Sequence, residues 1–180
     1  VYDNPAITII GGTDLRVCQN AVKSIVPQVS GGFTPYSYEW TEEESPLVIT
    51  KETYAFSNSQ VTGAQTVTLK VTDSIGCNTI LPITVNVDPL PSVTINDMAV
   101  CSNDEGSIIA EPGNTGLAPF KYTWSGFDEL QPQDNVAKFT IDTEEAIMLM
   151  ATVVITDEHG CQSSDDAAIT IKPLPTLKLD

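Results

Sequence analysis

Four cysteines, one histidine and 24 carboxylates are the side chains with which this 180-residue chain could bond, ligate or catalyse. Four cysteines allow three disulfide connectivities. A zinc site needs ligands in short-spaced clusters, and the sequence has neither a Cys-x-x-Cys pair nor a second histidine, so disulfides in an oxidising compartment are the expected use. His159 lies beside Glu158 in a predicted turn. No Gly-x-Ser-x-Gly elbow accompanies it, so it reads as a solvated turn residue, and no enzymatic activity is expected.

The carboxylates group at Glu42-Glu43-Glu44, Asp104-Glu105, Glu144-Glu145, Asp157-Glu158 and Asp165-Asp166. Calcium takes six to eight oxygen ligands, and Asp88, Asp97 and Asp157 are candidates for such a site near a repeat junction or hairpin. No Asp-x-Asp-x-Asp-Gly loop supports them, and the alternative is a solvated, self-repelling surface. No other cofactor is expected. Tyr54, Phe56 and Phe127 could stack sugars if exposed; the alternative is satellite core beneath the long segment that follows each tryptophan.

The formal charge of −16 argues against nucleic acid, since eight Lys and Arg cannot form a phosphate-tracking stripe, and equally against an anionic membrane surface. No run nears the roughly 20 apolar residues that span a bilayer, so direct membrane insertion is not expected. A hydrophobic share of 41% against 18% charged residues is too apolar for a disordered acidic tail. Val1 carries neither an initiator Met nor a basic segment before an apolar core, and the chain reads as a piece of something longer.

Self-similarity organises the rest. Pro35-Tyr36-Ser37-Tyr38-Glu39-Trp40 recurs as Pro119-Phe120-Lys121-Tyr122-Thr123-Trp124, an offset of 84. At that same offset Val71-Thr72-Asp73-Ser74-Ile75-Gly76-Cys77 matches Ile155-Thr156-Asp157-Glu158-His159-Gly160-Cys161, and Pro89-Leu90-Pro91 matches Pro173-Leu174-Pro175. Val17-Cys18 pairs with Val100-Cys101, and the opening Pro5-Ala6-Ile7-Thr8-Ile9 returns at Pro91 and again at Pro175. The expected organisation is one unit over 1–89, a second over 90–174 and the start of a third over 175–180. The paired prolines stiffen each short connection and remove backbone donors.

Thr, Val, Ile, Ser and Pro dominate, and period-two patterns recur at short intervals. Tyr36, Tyr38 and Trp40 share one strand face, with Tyr38, Trp40, Tyr122 and Trp124 as expected core. Val67, Leu69 and Val71 alternate likewise, as do Ala151, Val153 and Ile155. Each of these strands leads to a tight turn closed by Gly76 or Gly160, and a last strand runs back over 80–87 or 167–172. Glu144 to Met150 is the one segment that could be read as helical. About seven short strands in some 85 residues predict an all-β chain of two tandem antiparallel sandwiches of immunoglobulin type.

The run from Gly31-Gly32 through Pro35-Tyr36-Ser37-Tyr38-Glu39-Trp40, followed by Val71-Thr72-Asp73-Ser74-Ile75-Gly76-Cys77, resembles the SprB-type repeat of giant surface adhesins in gliding bacteria. That family is similar to PKD and other immunoglobulin-like modules. The second copy departs from it with Asn114-Thr115-Gly116-Leu117-Ala118 in place of the Gly-Gly pair, and neither copy has the Asp-Phe-Gly-Asp-Gly of true PKD modules. The resemblance implies type IX secretion, an extracellular location on the cell surface, and a structural or adhesive role as an extended stalk in attachment or gliding motility. Implied partners are neighbouring repeats of the same chain, surface polysaccharide or other cell-surface proteins. The alternative is a carbohydrate- or protein-binding accessory module of a secreted enzyme.

Among the three connectivities, the repeat selects the one that brackets each unit. Cys18 and Cys77 are 59 residues apart, and Cys101 and Cys161 are 60 apart. The expectation is therefore one internal disulfide per unit, Cys18–Cys77 and Cys101–Cys161, worth about 4 kcal/mol on the loop-entropy account.

Overall fold

The structure, a computed structural model, describes residues 3–43, 48–57 and 60–175. All regular structure among them is β, and the chain divides into two compact units, Val1–Pro89 and Leu90–Asp180. The third copy of the opening motif lies beyond Pro175, outside the described residues, as does Glu44.

In unit 1 the strands are β1 (Ala6–Ile9), β2 (Asp14–Cys18), β3 (Lys23–Ile25), β4 (Pro27–Ser30), β5 (Ser37–Glu42), β6 (Val48–Ile49), β7 (Tyr54–Phe56), β8 (Gly63–Thr72) and β9 (Asn78–Asp88). The larger sheet has the order β2-β9-β8-β5-β6. Facing it, β4 pairs with β1 and β3 pairs with β7. All pairings are antiparallel except β2 with β9, which run parallel.

Unit 2 repeats the plan with β10 (Val93–Thr94), β11 (Met98–Cys101), β12 (Glu105–Ile109), β13 (Glu111–Pro112), β14 (Lys121–Ser125), β15 (Gln131–Gln133), β16 (Val136–Thr140), β17 (Ile147–Thr156) and β18 (Gln162–Lys172). Its larger sheet has the order β11-β18-β17-β14, with β11 parallel to β18, and its other pairings are β10 with β13, β12 with β16, and β16 with β15. Each unit thus has one larger sheet and two smaller ones, and its opening segment pairs first with a smaller sheet (β1 with β4, β10 with β13) and then runs parallel to the last strand of the larger one (β2 with β9, β11 with β18), the arrangement of an immunoglobulin-like sandwich.

The core follows the period-two pattern. Val67, Leu69, Val71, Ile83, Val85 and Val87 are buried in unit 1, and their offset-84 counterparts Ala151, Val153, Ile155, Ala167, Ile169 and Ile171 are buried in unit 2. Each element is thus apolar on one face and polar on the other, which is what a two-layer sandwich requires. The segment from Glu144 to Met150 is not helical. From Ile147 it belongs to β17, where Met148 and Met150 are exposed while Ile147 and Leu149 pack against the core. Alternation set by the neighbouring strand overrides a weak local helical preference.

Both tryptophans are buried, and each indole N–H donates to a carbonyl, Trp40 to Lys51 at 2.8 Å and Trp124 to Asp134 at 2.9 Å. Tyr38 and Tyr122 are half-buried and pack on the outside of these clusters.

Candidate functional site

The same hydrogen-bonded constellation closes one pole of each unit. The β8–β9 hairpin is built around Asp73, which is 5% exposed. Its Oδ1 accepts the backbone N–H groups of Ile75 at 3.1 Å and Cys77 at 2.8 Å. Its Oδ2 accepts the N–H of Phe33 at 3.2 Å, from the loop before β5. The backbone completes the tie, with Ser74 donating to the Phe33 carbonyl and Asp73 to the Cys77 carbonyl. In unit 2 Asp157, also 5% exposed, accepts from His159 at 3.0 Å, Cys161 at 2.9 Å and Leu117 at 3.2 Å. Two sequence motifs separated by some forty residues are therefore one structural device: a carboxylate that satisfies backbone donors of its own turn and of a second loop.

The loops that reach these carboxylates also require a glycine. Gly32 and Gly116 occupy equivalent positions with φ of +62° and +83°. A Cβ at Gly32 would stand 3.0 Å from Asp73 Oδ2, and one at Gly116 would stand 2.6 Å from the Pro91 Cα. The second copy therefore keeps the one glycine of the pair that the loop requires, and Thr115 replaces the other.

The within-unit disulfides expected from the spacing are not formed. Cys77 and Cys101 are free thiols, whereas Cys18 and Cys161 are in disulfide linkage. The reason lies in the parallel strand. Cys18 is registered with Asp88, the last residue of β9, whereas Cys77 immediately precedes Asn78, the first. At about 3.3 Å per residue the two cysteines are some 35 Å apart, against the 7 Å limit on Cα separation for a disulfide. Unit 2 is the same: Cys101 is registered with Lys172 and Cys161 immediately precedes Gln162, at opposite ends of β18. Bracketing a unit in sequence placed the cysteines at opposite poles.

The calcium candidates are engaged in other ways. Asp157 uses both oxygens on backbone donors. Asp97 Oδ1 accepts the Ala168 N–H at 2.8 Å, and Asp88 Oδ1 accepts from the Arg16 guanidinium at 2.9 Å. Among the described residues no group of three or more His, Cys, Asp or Glu side chains converges to hold a metal ion. His159 is exposed in its turn.

Of the rings considered for sugar stacking, Tyr54 and Phe56 lie in the core and Phe127 is half-buried against it. Phe56 is fully buried, Tyr54 is 7% exposed and stacks on Trp40 at 5.3 Å between centroids, and Phe127 meets Phe139 edge-on at 5.4 Å. The Tyr54 hydroxyl donates to Glu42 Oε1, and burial followed by that carboxylate raises the phenol pKa well above its ordinary value of 10. Burial also raises Tyr38, helped by the charge of Glu52, and Tyr122, helped by that of Asp134. Two recesses, of about 190 Å³ beside Glu42 and Gln65 and about 220 Å³ beside Asp97 and Ser107, are smaller than the roughly 300–1,000 Å³ of small-molecule sites. They lie on different strands in the two units, so neither belongs to the repeated plan.

No protein-family model matches the chain, and no curated protein matches it in sequence. Among solved structures, the fibronectin(III)-like modules of Clostridium thermocellum CbhA are similar over 97% of this chain and 100% of theirs, at 16% identity and a TM-score of 0.46. An I-band fragment of titin is similar over 96% of this chain and 67% of its own, at 12% identity and a TM-score of 0.46. The three N-terminal domains of the bacteriophage RB49 highly immunogenic outer capsid protein give 96%, 71%, 10% and 0.49 in the same order. Strand pairing within each unit defines its immunoglobulin-like arrangement.

Proposed function

We propose that the chain is a non-catalytic structural repeat segment of a large secreted cell-surface adhesin of the SprB type, acting as an extended stalk in attachment or gliding motility. The observation that carries this reading is the repetition of one complete device. Strand order, hairpin carboxylate and loop glycine recur, and in the sequence each unit leads into a Pro-Leu-Pro connection. Selection that preserves scaffold parts while letting surface residues diverge suits a spacer. Residues 1–89 carry nine acids and four bases, and 90–180 carry fifteen and four, and apart from the hairpin carboxylate Asp73 or Asp157 the two share no acidic motif. Such a surface discourages edge-to-edge pairing of exposed strands in a long exported array.

An accessory binding module on a secreted enzyme is the alternative. It has lost its best support, since Tyr54 and Phe56 are buried and Phe127 packs against core. The deciding experiment is to read the parent gene to its end and to label intact cells with an antibody raised against this chain. Many further copies together with surface labelling are expected. A flanking hydrolase domain, or confinement of the antigen to the cytoplasm, would overturn the proposal.

A further inference from the structure

The tryptophan strand has a different neighbour in each unit. In unit 1 the outer edge of β5 is covered by β6, with Val48 opposite Thr41 and Ile49 opposite Trp40, and the larger sheet has five strands. In unit 2 the larger sheet stops at β14. The segment that follows Trp124 leaves it and pairs as β15 with β16, in the three-stranded sheet. Composition accounts for the difference: β6 brings two β-branched residues, whereas Gly126, Asp128, Glu129 and Pro132 follow Trp124 and are poor strand formers. Among the described residues no strand lies on the outer edge of β14, and the backbone bonds made outside the sheets do not involve Lys121 to Ser125. Trp124 is accordingly 8% exposed, against 1% for Trp40.

An uncovered edge presents backbone N–H and C=O groups to any extended segment, and native folds blunt such edges with charge, proline or a bulge. The middle of β14 has none of these. Its register with β17 is continuous from Lys121 to Ser125, Thr123 stands where β5 has Glu39, and its one charge is Lys121, at its first residue. Tyr122, Thr123 and Trp124 are all strand-favouring residues.

We propose that β14 is a strand-addition site whose occupant is an extended, net basic segment of another protein, pairing antiparallel with Lys121–Ser125 and completing the sheet as β6 does in unit 1. Two observations choose this occupant. Direction and register come from unit 1: carried over at the offset of 84, the β5–β6 pairing sets one β-branched residue opposite Ser125 and the next opposite Trp124. Charge comes from unit 2, where residues 90–180 carry fifteen acids and four bases, a net −11. Exposed Asp128 and Glu129 follow the C-terminal end of β14, and exposed Lys121 marks its start. An antiparallel segment enters beside Asp128 and Glu129 and leaves beside Lys121, so the matching sequence has basic residues ahead of its β-branched pair. A second copy of the chain is the wrong partner, because two chains of −16 repel. The acidity that keeps copies apart leaves this edge to a segment of opposite charge, with main-chain bonds supplying affinity and the side-chain register supplying specificity.

The inference does not rest on surface display, and antibody labelling of cells is indifferent to its outcome. The test uses the whole chain, isotopically labelled for amide NMR, and the peptide acetyl-Lys-Lys-Leu-Val-Ile-Thr-amide, which sets two lysines ahead of the chain's own residues 47–50. Saturable shifts and slowed amide exchange are expected within Lys121–Ser125, with Ser37–Glu42 unchanged because β6 already covers that edge. Glutamates in place of the two lysines should weaken binding about tenfold at low salt, and the exposed double variant Asp128→Lys/Glu129→Lys should reverse that order. Proline in place of both Val and Ile removes a donor that faces β14 whichever way the strand lies, and should abolish binding. No binding at about 1 mM peptide, a millimolar Kd being close to the weakest specific association, would overturn the proposal. Shifts confined to other strands would overturn it too, as would equal affinity for the lysine and glutamate peptides. So would a dimer of the free chain that protects Lys121–Ser125, since the edge would then belong to a second copy.

Discussion

The Asp157 carboxylate accepts the backbone N–H of Cys161 at 2.9 Å, and Asp73 does the same for Cys77 at 2.8 Å, so the residue that opens each hairpin fixes the cysteine that closes it. The other oxygen of each reaches Leu117 or Phe33 in the loop that leads to the tryptophan strand. The carboxylate joins two loops at one pole and sets the orientation of the cysteine backbone there.

Replacing either carboxylate should cost stability in its own unit. Asp73→Ala leaves three backbone donors without their acceptor, and part-buried donors of this kind cost about 1–3 kcal/mol each when unsatisfied, less where water can reach them. The expected loss is about 2–4 kcal/mol for Asp73→Ala and Asp157→Ala, and about half that for the Asn variants, which keep one oxygen. Each unit has a single tryptophan, so denaturant unfolding of Trp124→Phe and Trp40→Phe backgrounds reports units 1 and 2 separately. A loss below 0.5 kcal/mol would show that the tie is dispensable.

Gly106 on β12 is opposite Phe139 on β16, and a Cβ there would stand 2.1 Å from the ring. Gly106→Ala should therefore destabilise unit 2 by about 1–3 kcal/mol through overpacking. Adding Phe139→Leu should recover part of this in a double-mutant cycle. Additive losses would place the cost in the backbone instead.

Alkaline unfolding should be governed by the buried phenols. Tyr54 has its pKa raised by burial and by Glu42, so its contribution is full below the unfolded-state value near 10 and is lost as pH rises above it toward the higher folded value. Tyr54→Phe should flatten the alkaline limb of unit 1 stability measured from pH 9 to 12. Tyr38 acts in the same direction and leaves a residual slope. An unchanged limb would refute the assignment to Tyr54.

Calcium should not stabilise the protein through Asp88, Asp97 or Asp157. Their hydrogen bonds hold them to Arg16, to Ala168 and to the β17–β18 turn and the Leu117 loop. Thermal midpoints in millimolar calcium and in excess chelator should agree within a degree. A rise of several degrees that is abolished by Asp97→Asn would contradict this.

The sequence alone determined what depends on local order. Period-two burial in Val67-Leu69-Val71 and its copy, the turn closed by Gly76, and the offset of 84 are properties of adjacent residues and of their repetition. They imply strands, hairpins and a repeated unit without any long-range knowledge. Tertiary structure decided what depends on strand direction. Val17-Cys18 reads equally well whether its strand runs parallel or antiparallel to β9, because alternation is indifferent to direction. Only the observed register, Cys18 level with Asp88, sets the two cysteines of a unit a strand length apart. The same holds for Asp157. Its one-letter context suits a cation ligand as well as a hairpin lock, and the choice falls to Leu117, a residue forty positions away whose N–H occupies the second oxygen.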